Sequence, residues 1–159
     1  MKRLLIVGLT LFFMFSIQSS ASSINIKVNS YQEVVKKDKK GKITKKWLKT
    51  TKVVPGSIIK YIDTITNDTN ETINNAKIAN PIDKNLIYIK NSAKSKSKFS
   101  IKFSVDRGKT YNEPSKLFVK LKNGKKRLAT PKDYTSVIFN VNEIPAKSEV
   151  KIEYKVKIK

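Results

Sequence analysis

The chain of 159 residues contains neither cysteine nor histidine. Without cysteine it forms no disulfide and offers no thiol nucleophile or lipid-modified cysteine, so its stability must come from packing and strand pairing. Without histidine the commonest general base at neutral pH is missing. Together the two absences exclude metal sites built from nitrogen or sulfur ligands.

Acidic residues are scarce as well, 12 against 34 lysines and arginines. They are scattered singly, with only Asp68 and Glu71 close together in sequence, whereas a dedicated calcium site needs a denser acidic cluster. A hydrolase built from two carboxylates far apart in sequence is the distant alternative, and it would lose turnover when Asp63 or Asp106 is replaced. We therefore predict a protein that is not an enzyme and that uses no cofactor.

Long apolar runs are confined to the N-terminus. A positive start at residues 2–3 precedes the apolar run 4–15, and small residues follow at 19–21. This order predicts a signal peptide over residues 1–21, and the alternative, a membrane anchor, needs about 20 apolar residues. The predicted mature chain keeps 32 basic and 12 acidic residues, a formal charge of +20. We expect an exported protein, periplasmic or at the cell surface, with no transmembrane segment after signal removal.

Beyond this leader, apolar and polar residues alternate, which is the period of a half-buried β-strand. The clearest case is 150–158, where isoleucine, valine and tyrosine occupy one face and lysine and glutamate the other. Ile24, Ile26 and Val28 repeat the pattern at the start of the predicted mature chain. We expect both apolar faces to lie on a core.

A lysine-rich hairpin is predicted near the N-terminus, where 31–37 and 42–49 flank a turn with Asp38 first and Gly41 last. Further strands are predicted at 57–67, 75–79, 86–90, 98–105, 116–122 and 135–141. Short strands at this spacing, with no helical segments between them, predict an all-β sandwich or barrel. We expect residues 22–52, with the basic hairpin, to belong to the same domain as residues 53–159.

One acidic residue disagrees with its neighbours. Asp63 falls on the face that also holds Ile59, Tyr61 and Ile65, and an ionised carboxylate on a core face is unfavourable unless it is paired. The expected explanation is a position at the rim or edge of the sheet, where Asp63 meets a lysine. A functional acid is the alternative.

The stretch from Val53 to the end carries a series of weak motifs in a fixed order. A Pro-Gly turn at 54–57 precedes a Tyr-x5-Asn strand, Tyr61 with Asn67. A Pro-bearing loop at 76–81, an aromatic-x3-Ser segment at 88–92 and a Phe-Ser-x-Asp-x-Gly-Lys-Thr-aromatic hairpin at 103–111 follow. The series ends with an Asp-Tyr-Thr strand at 133–135 and a last Pro-bearing turn at 144–146.

In this order and spacing the chain resembles domain of unknown function 11, a module of exported bacterial proteins. Asp63 departs from the family pattern, which has an aliphatic residue there. The resemblance implies an immunoglobulin-like antiparallel β-sandwich in envelope or surface proteins. It implies no established chemistry and brings no catalytic residues.

Residues 104–111 also resemble the Asp-box hairpin of sialidases and of many unrelated β proteins. In such a turn Asp106 accepts backbone N–H bonds, Gly108 supplies a positive φ, and the aromatic Tyr111 packs inward. We therefore interpret Asp106 and Gly108 as a structural turn. Asn70 lies in an acidic-x-Asn-x-Thr string of a predicted surface loop, which matches a bacterial glycosylation acceptor or arises by chance in an Asn- and Thr-rich loop.

The lysines carry most of the functional information. A dense group surrounds Trp47 in the predicted hairpin and attracts polyanions electrostatically. Only two arginines remain after the leader, and because arginine is the residue that reads bases bidentately, we expect no sequence-specific nucleic-acid binding. The candidate polyanion-binding residues are Lys36, Lys37, Lys39, Lys40, Lys42, Lys45, Lys46, Lys49 and Lys52.

Two functions follow from these features. The preferred one is a structural or adhesive module of the cell envelope, with other envelope proteins as partners. The alternative is an electrostatic binder of anionic polymers such as lipopolysaccharide, acidic glycans or extracellular DNA. Complete release from heparin or DNA by about 0.15 M salt would leave only ordinary charge attraction, whereas retention that depends on the hairpin lysines supports the alternative.

Overall fold

A computed structural model describes residues 24–159, so the signal peptide predicted for residues 1–21 lies outside the described residues. The described chain is built from β-strands and one turn of 3-10 helix, Pro114–Lys116. The strands are β1 (Ile24–Lys37), β2 (Ile43–Lys49), β3 (Ile58–Asn67), β4 (Ile73–Pro81), β5 (Leu86–Tyr88), β6 (Lys94–Ser95), β7 (Phe99–Ser104), β8 (Phe118–Lys120), β9 (Lys126–Leu128), β10 (Ser136–Ile144) and β11 (Ser148–Ile158).

The strands form two facing sheets and one ribbon. The larger sheet has the order β2-β1-β3-β11-β5, with β6 also paired to β11, and the smaller sheet has the order β4-β10-β7. A separate ribbon joins β8 and β9. Every pairing is antiparallel. The prediction of an all-β antiparallel sandwich with an N-terminal lysine-rich hairpin is confirmed.

The core lies between the sheets and follows the predicted alternation. Val150, Ile152, Tyr154 and Val156 of β11 are all buried, so the face predicted for this strand is correct. The ring of Tyr154 lies 5.4 Å from that of Phe139. Thus β11 of the larger sheet lies over β10 of the smaller one.

Two further contacts fix how the remaining strands face each other. The rings of Tyr88 and Phe103 meet edge to face at 4.8 Å, so β5 lies over β7. The side chain of Asn80 on β4 donates a hydrogen bond to Asp63 on β3, so β3 lies over β4. Each strand of the smaller sheet is therefore matched to one strand of the larger sheet, and within residues 24–159 no strand lies opposite β1.

This asymmetry overturns one expectation. The side chains of Ile24, Ile26 and Val28 are 47%, 49% and 49% exposed, although they point to the core side of the larger sheet. Their alternation does mark a strand, but none of the described strands of the smaller sheet covers its apolar face. The expectation that this face lies on a core is wrong.

The β1–β2 hairpin begins within the larger sheet and extends past it. Pairing of β1 with β3 ends at Gln32 opposite Ile59, whereas pairing of β1 with β2 continues to Lys37 opposite Ile43. At the tip, the backbone N–H groups of Lys40 and Lys42 donate to Asp38 Oδ1. Within residues 24–159, no helix has the length and apolar character needed to cross a membrane.

Candidate functional site

The hairpin distributes its lysines over two faces, because successive side chains of a strand point to opposite sides. Lys45 and Lys49 stand on the outer face of the larger sheet, on the same side as Trp47 between them. Lys36 and Lys46 stand on the other face. Of the remaining predicted residues, Lys37 lies on the outer face at the tip, and Lys39, Lys40, Lys42 and Lys52 lie in turns and loops.

Trp47 is the centre of the outer face. It is half-buried, and the Lys60 Nζ lies 4.7 Å from the indole ring centroid while the Lys155 Nζ lies 5.2 Å from it. Lys60 is also 5.9 Å from the ring of Tyr31. Ammonium groups at these distances above a ring are attracted by its quadrupole. We call this surface the Trp47 face; it consists of Tyr31, Lys45, Trp47, Lys49, Lys60 and Lys155.

Two of these lysines were missed by the sequence analysis. Lys60 and Lys155 lie far from the lysine run of the hairpin, on β3 and β11, and they are directly opposite each other in the sheet. The alternation of β11 places Lys155 on an outer face, which is a sign readable from sequence. Only the strand order brings that face beside Trp47.

The charges on the Trp47 face are only partly balanced. Glu33 lies 3.4 Å from Lys45, and Glu153 lies 3.8 Å from Lys60. Lys49 and Lys155 have no ion pair within residues 24–159. Four ammonium groups thus stand against two carboxylates, which leaves the face positive. Its aromatic ring and free ammonium groups suit a ligand with repeated negative charge.

Asp63 is not at a rim and does not meet a lysine. Its side chain is fully buried between the sheets, and its partner is the side-chain amide of Asn80. Its other oxygen, Oδ1, has no hydrogen-bond partner in the described part of the chain. Burial raises the pKa of Asp63, and the hydrogen bond from Asn80 only partly offsets this rise. The expectation of a rim position is wrong, because an amide across the core replaces the lysine.

The turn predicted at residues 104–111 is held by side chains. Asp106 accepts hydrogen bonds from the Ser104 hydroxyl and from both the backbone N–H and the hydroxyl of Thr110, and these bonds lower the pKa of Asp106. Gly108 has a φ of +84°. Tyr111 does not pack inward: its Oη lies 2.9 Å from Ser136 Oγ, on the outer face of the smaller sheet.

The loop after β3 is organised by Asn67, which is fully buried. Its Nδ2 donates to the carbonyl oxygens of Glu71, Ile144 and Pro145, and its Oδ1 accepts from the backbone N–H and hydroxyl of Thr69. Asn70, the predicted acceptor for glycosylation, is exposed in the same loop.

A cleft of about 670 Å³ opens between the edges of the two sheets, beside the β8–β9 ribbon. Its walls are mainly apolar and aromatic, with Tyr88, Phe99, Phe103 and Tyr134 among them, and of the described residues Lys90 alone brings a charge to its lining. No carboxylate of the described residues lines this cleft. Within residues 24–159, no three acidic side chains are grouped as metal ligands.

No family model, no curated protein and no solved structure matches this chain.

Proposed function

We propose that the protein is a non-enzymatic, exported β-sandwich of the cell envelope or surface that binds anionic polymers through the Trp47 face. The observation that carries the proposal is the placement of Lys60 and Lys155 over the ring of Trp47, with Lys45 and Lys49 beside it on β2. Of the two functions that follow from the sequence, this arrangement favours the electrostatic binder over the structural or adhesive module.

The ammonium groups of the Trp47 face stand on hydrogen-bonded strands of one sheet. They come from β2, β3 and β11, and β1 lies between β2 and β3. The three spacings between these four strands, about 4.8 Å each, give the face a width of about 14 Å. A polymer with negative groups repeated at this scale meets several lysines at once and releases its counterions. Because the backbone already fixes the lysine positions, less freedom is lost on binding than with a flexible tail.

The chemistry of the face selects a class of ligand and not a sequence. Lysine is a point charge without the bidentate geometry of arginine, and the single indole offers one flat apolar surface for a sugar ring or a base. Lipopolysaccharide, acidic glycans and extracellular DNA share the repeated anionic groups that this surface requires. Specific reading of nucleic-acid sequence is not part of the proposal.

Retention on heparin at two salt concentrations, about 0.05 M and about 0.15 M, tests the proposal. The variant K45Q/K49Q removes two charges from the Trp47 face, and the matched variant K36Q/K46Q removes two charges from the opposite face of the same hairpin. We expect the wild type to stay bound at the higher salt and K45Q/K49Q to bind about tenfold more weakly, or about 1.4 kcal/mol. We expect K36Q/K46Q to change affinity much less. Complete release of the wild type at the higher salt, or equal losses in the two variants, would contradict the proposal.

A further inference from the structure

Among the described strands, the smaller sheet is narrower than the larger sheet on the side of β4. Three contacts match β5 with β7, β11 with β10 and β3 with β4 across the core. The next strand of the larger sheet is β1, and the smaller sheet ends at β4. A position of one strand width therefore lies beside β4 and over β1.

The floor of this position is apolar. Ile24, Ile26 and Val28 are paired with Asn67, Ile65 and Asp63 of β3. Those three partners are buried, and paired residues of neighbouring strands point to the same side of a sheet. The three apolar side chains of β1 therefore face the open position, and about half of each remains exposed.

The wall of this position is a strand edge. Within the described residues β4 pairs with β10 alone, so its other edge presents backbone N–H and C=O groups without strand partners. An edge of this kind accepts a further strand by main-chain hydrogen bonding. We call the open edge of β4 together with Ile24, Ile26 and Val28 the strand slot.

We propose that the strand slot binds an extended segment of a partner protein, which adds to β4 as a fourth strand of the smaller sheet. Alternate side chains of that segment would be apolar, because they would cover Ile24, Ile26 and Val28. The side chains between them would be acidic, because they would lie beside the exposed Lys77 on the outer face of β4.

Charge and geometry disfavour a second copy of the chain as the occupant. A twofold pairing of two β4 strands would bring two Lys77 side chains near each other. It would also place both larger sheets on the same side of one continuous sheet. The overhanging β1 and β2 of each copy would then enter the space filled by the larger sheet of the other. A single strand of opposite charge meets neither obstacle.

A fluorescein-labelled, capped heptapeptide of alternating valine and glutamate is the probe, followed by fluorescence anisotropy at about 0.15 M salt. The same peptide with proline at its central valine is the control, because proline cannot complete the hydrogen bonding of an added strand. I26E adds a negative charge inside the strand slot. V35E adds the same charge to the same strand at the exposed Val35 on the opposite face. I24S/I26S is the second slot variant, in case I26E fails to fold.

We expect saturable binding of the alternating peptide and none of the proline peptide. I26E or I24S/I26S should weaken binding at least about tenfold, or about 1.4 kcal/mol, while V35E should weaken it far less. Hydrogen exchange at the β4 amides should slow on binding. Absence of saturation up to about 1 mM or equal effects of I26E and V35E would overturn the proposal. Loss of binding in K45Q/K49Q, or a dimer that I26E dissociates, would also overturn it. Because the strand slot and the Trp47 face use different residues, either proposal can fail without the other.

Discussion

The Lys60 Nζ lies 4.7 Å from the ring centroid of Trp47 although the two residues stand on strands that are not neighbours. Lys60 belongs to β3 and Trp47 to β2, and β1 runs between them, with Tyr31 beneath the lysine chain. The contact therefore ties the hairpin to the body of the larger sheet. It also orients an ammonium group and an aromatic ring toward the same outer surface.

Replacement of Trp47 by alanine tests the aromatic part of the Trp47 face without changing its charge. We expect W47A to weaken heparin binding about threefold to tenfold, because the ring supplies apolar contact and holds two ammonium groups, a contribution of about 1 kcal/mol. F118A removes an exposed aromatic ring on the separate β8–β9 ribbon and should leave the affinity for heparin unchanged. Calorimetric titration of both variants makes the comparison, and equal effects would contradict the role of Trp47.

The stability of D63N relative to the wild type should depend on pH. Burial raises the pKa of Asp63 above the value of about 3.9 expected in the unfolded chain. The stability that this carboxyl contributes to the folded protein is therefore fully present below its pKa in the unfolded chain and is lost as pH rises through its pKa in the folded protein. Asparagine has no charge to bury, so D63N should gain stability relative to the wild type from about pH 3 to pH 7.

D133N is the matched control with the opposite sign. Asp133 accepts two 2.7 Å hydrogen bonds from the Arg127 guanidinium, which lower the pKa of Asp133. Its contribution is present above the unfolded pKa and is lost as pH falls through the folded pKa. D133N should therefore lose stability relative to the wild type as pH rises. Urea unfolding at about pH 3 and about pH 7 measures the free energy of unfolding of each variant relative to the wild type. Changes of the same sign in D63N and D133N would refute the raised pKa of Asp63.

Alanine at Gly108 should be more destabilising than alanine at Gly124. Both glycines have positive φ values, +84° and +81°. A residue with a Cβ is less stable in this left-handed conformation by about 1–2 kcal/mol. At Gly108 the added Cβ would also lie 2.9 Å from Tyr111 Oη, whereas nothing lies within 4 Å at Gly124. We expect G108A to lose at least about 1 kcal/mol more than G124A in urea unfolding. Equal losses would show that Tyr111 moves aside freely.

Asn67 should be one of the most sensitive polar positions in the chain. Alanine there leaves the buried carbonyl of Ile144 without its side-chain donor, whereas the carbonyl of Pro145 still accepts from the Ser148 hydroxyl, so we expect the free energy of unfolding to fall by about 1–3 kcal/mol. N70A, in the exposed part of the same loop, should change the free energy of unfolding by less than about 0.5 kcal/mol. Thermal unfolding of the two variants gives the comparison. Similar stabilities would mean that the loop does not need the Asn67 amide.

The sequence pattern correctly predicted the elements that depend on residues close together in the chain. The two-residue period of 150–158 identified the buried face of β11 because a central strand has a sheet neighbour on both sides and a core on one face. The Asp38 and Gly41 turn was readable because its hydrogen bonds join residues close in sequence. Such features need no knowledge of distant residues.

What the sequence left open depends on long-range pairing. The same alternation at Ile24, Ile26 and Val28 pointed to a core that does not cover them, because periodicity does not reveal how many strands the opposite sheet has. Asp63 meets Asn80 only because β3 lies over β4. Likewise, Lys60 and Lys155 join Trp47 only through the strand order of the larger sheet.

The intrinsic fluorescence of Trp47 tests the central claim most directly, since it is the only tryptophan in the chain. A heparin fragment is titrated at about 0.15 M salt while calorimetry follows binding in parallel. The Trp47 face predicts a saturable change in tryptophan emission with the same midpoint as the calorimetric isotherm, and a weaker midpoint in K45Q/K49Q. Calorimetric binding that leaves the emission of Trp47 unchanged would contradict the account.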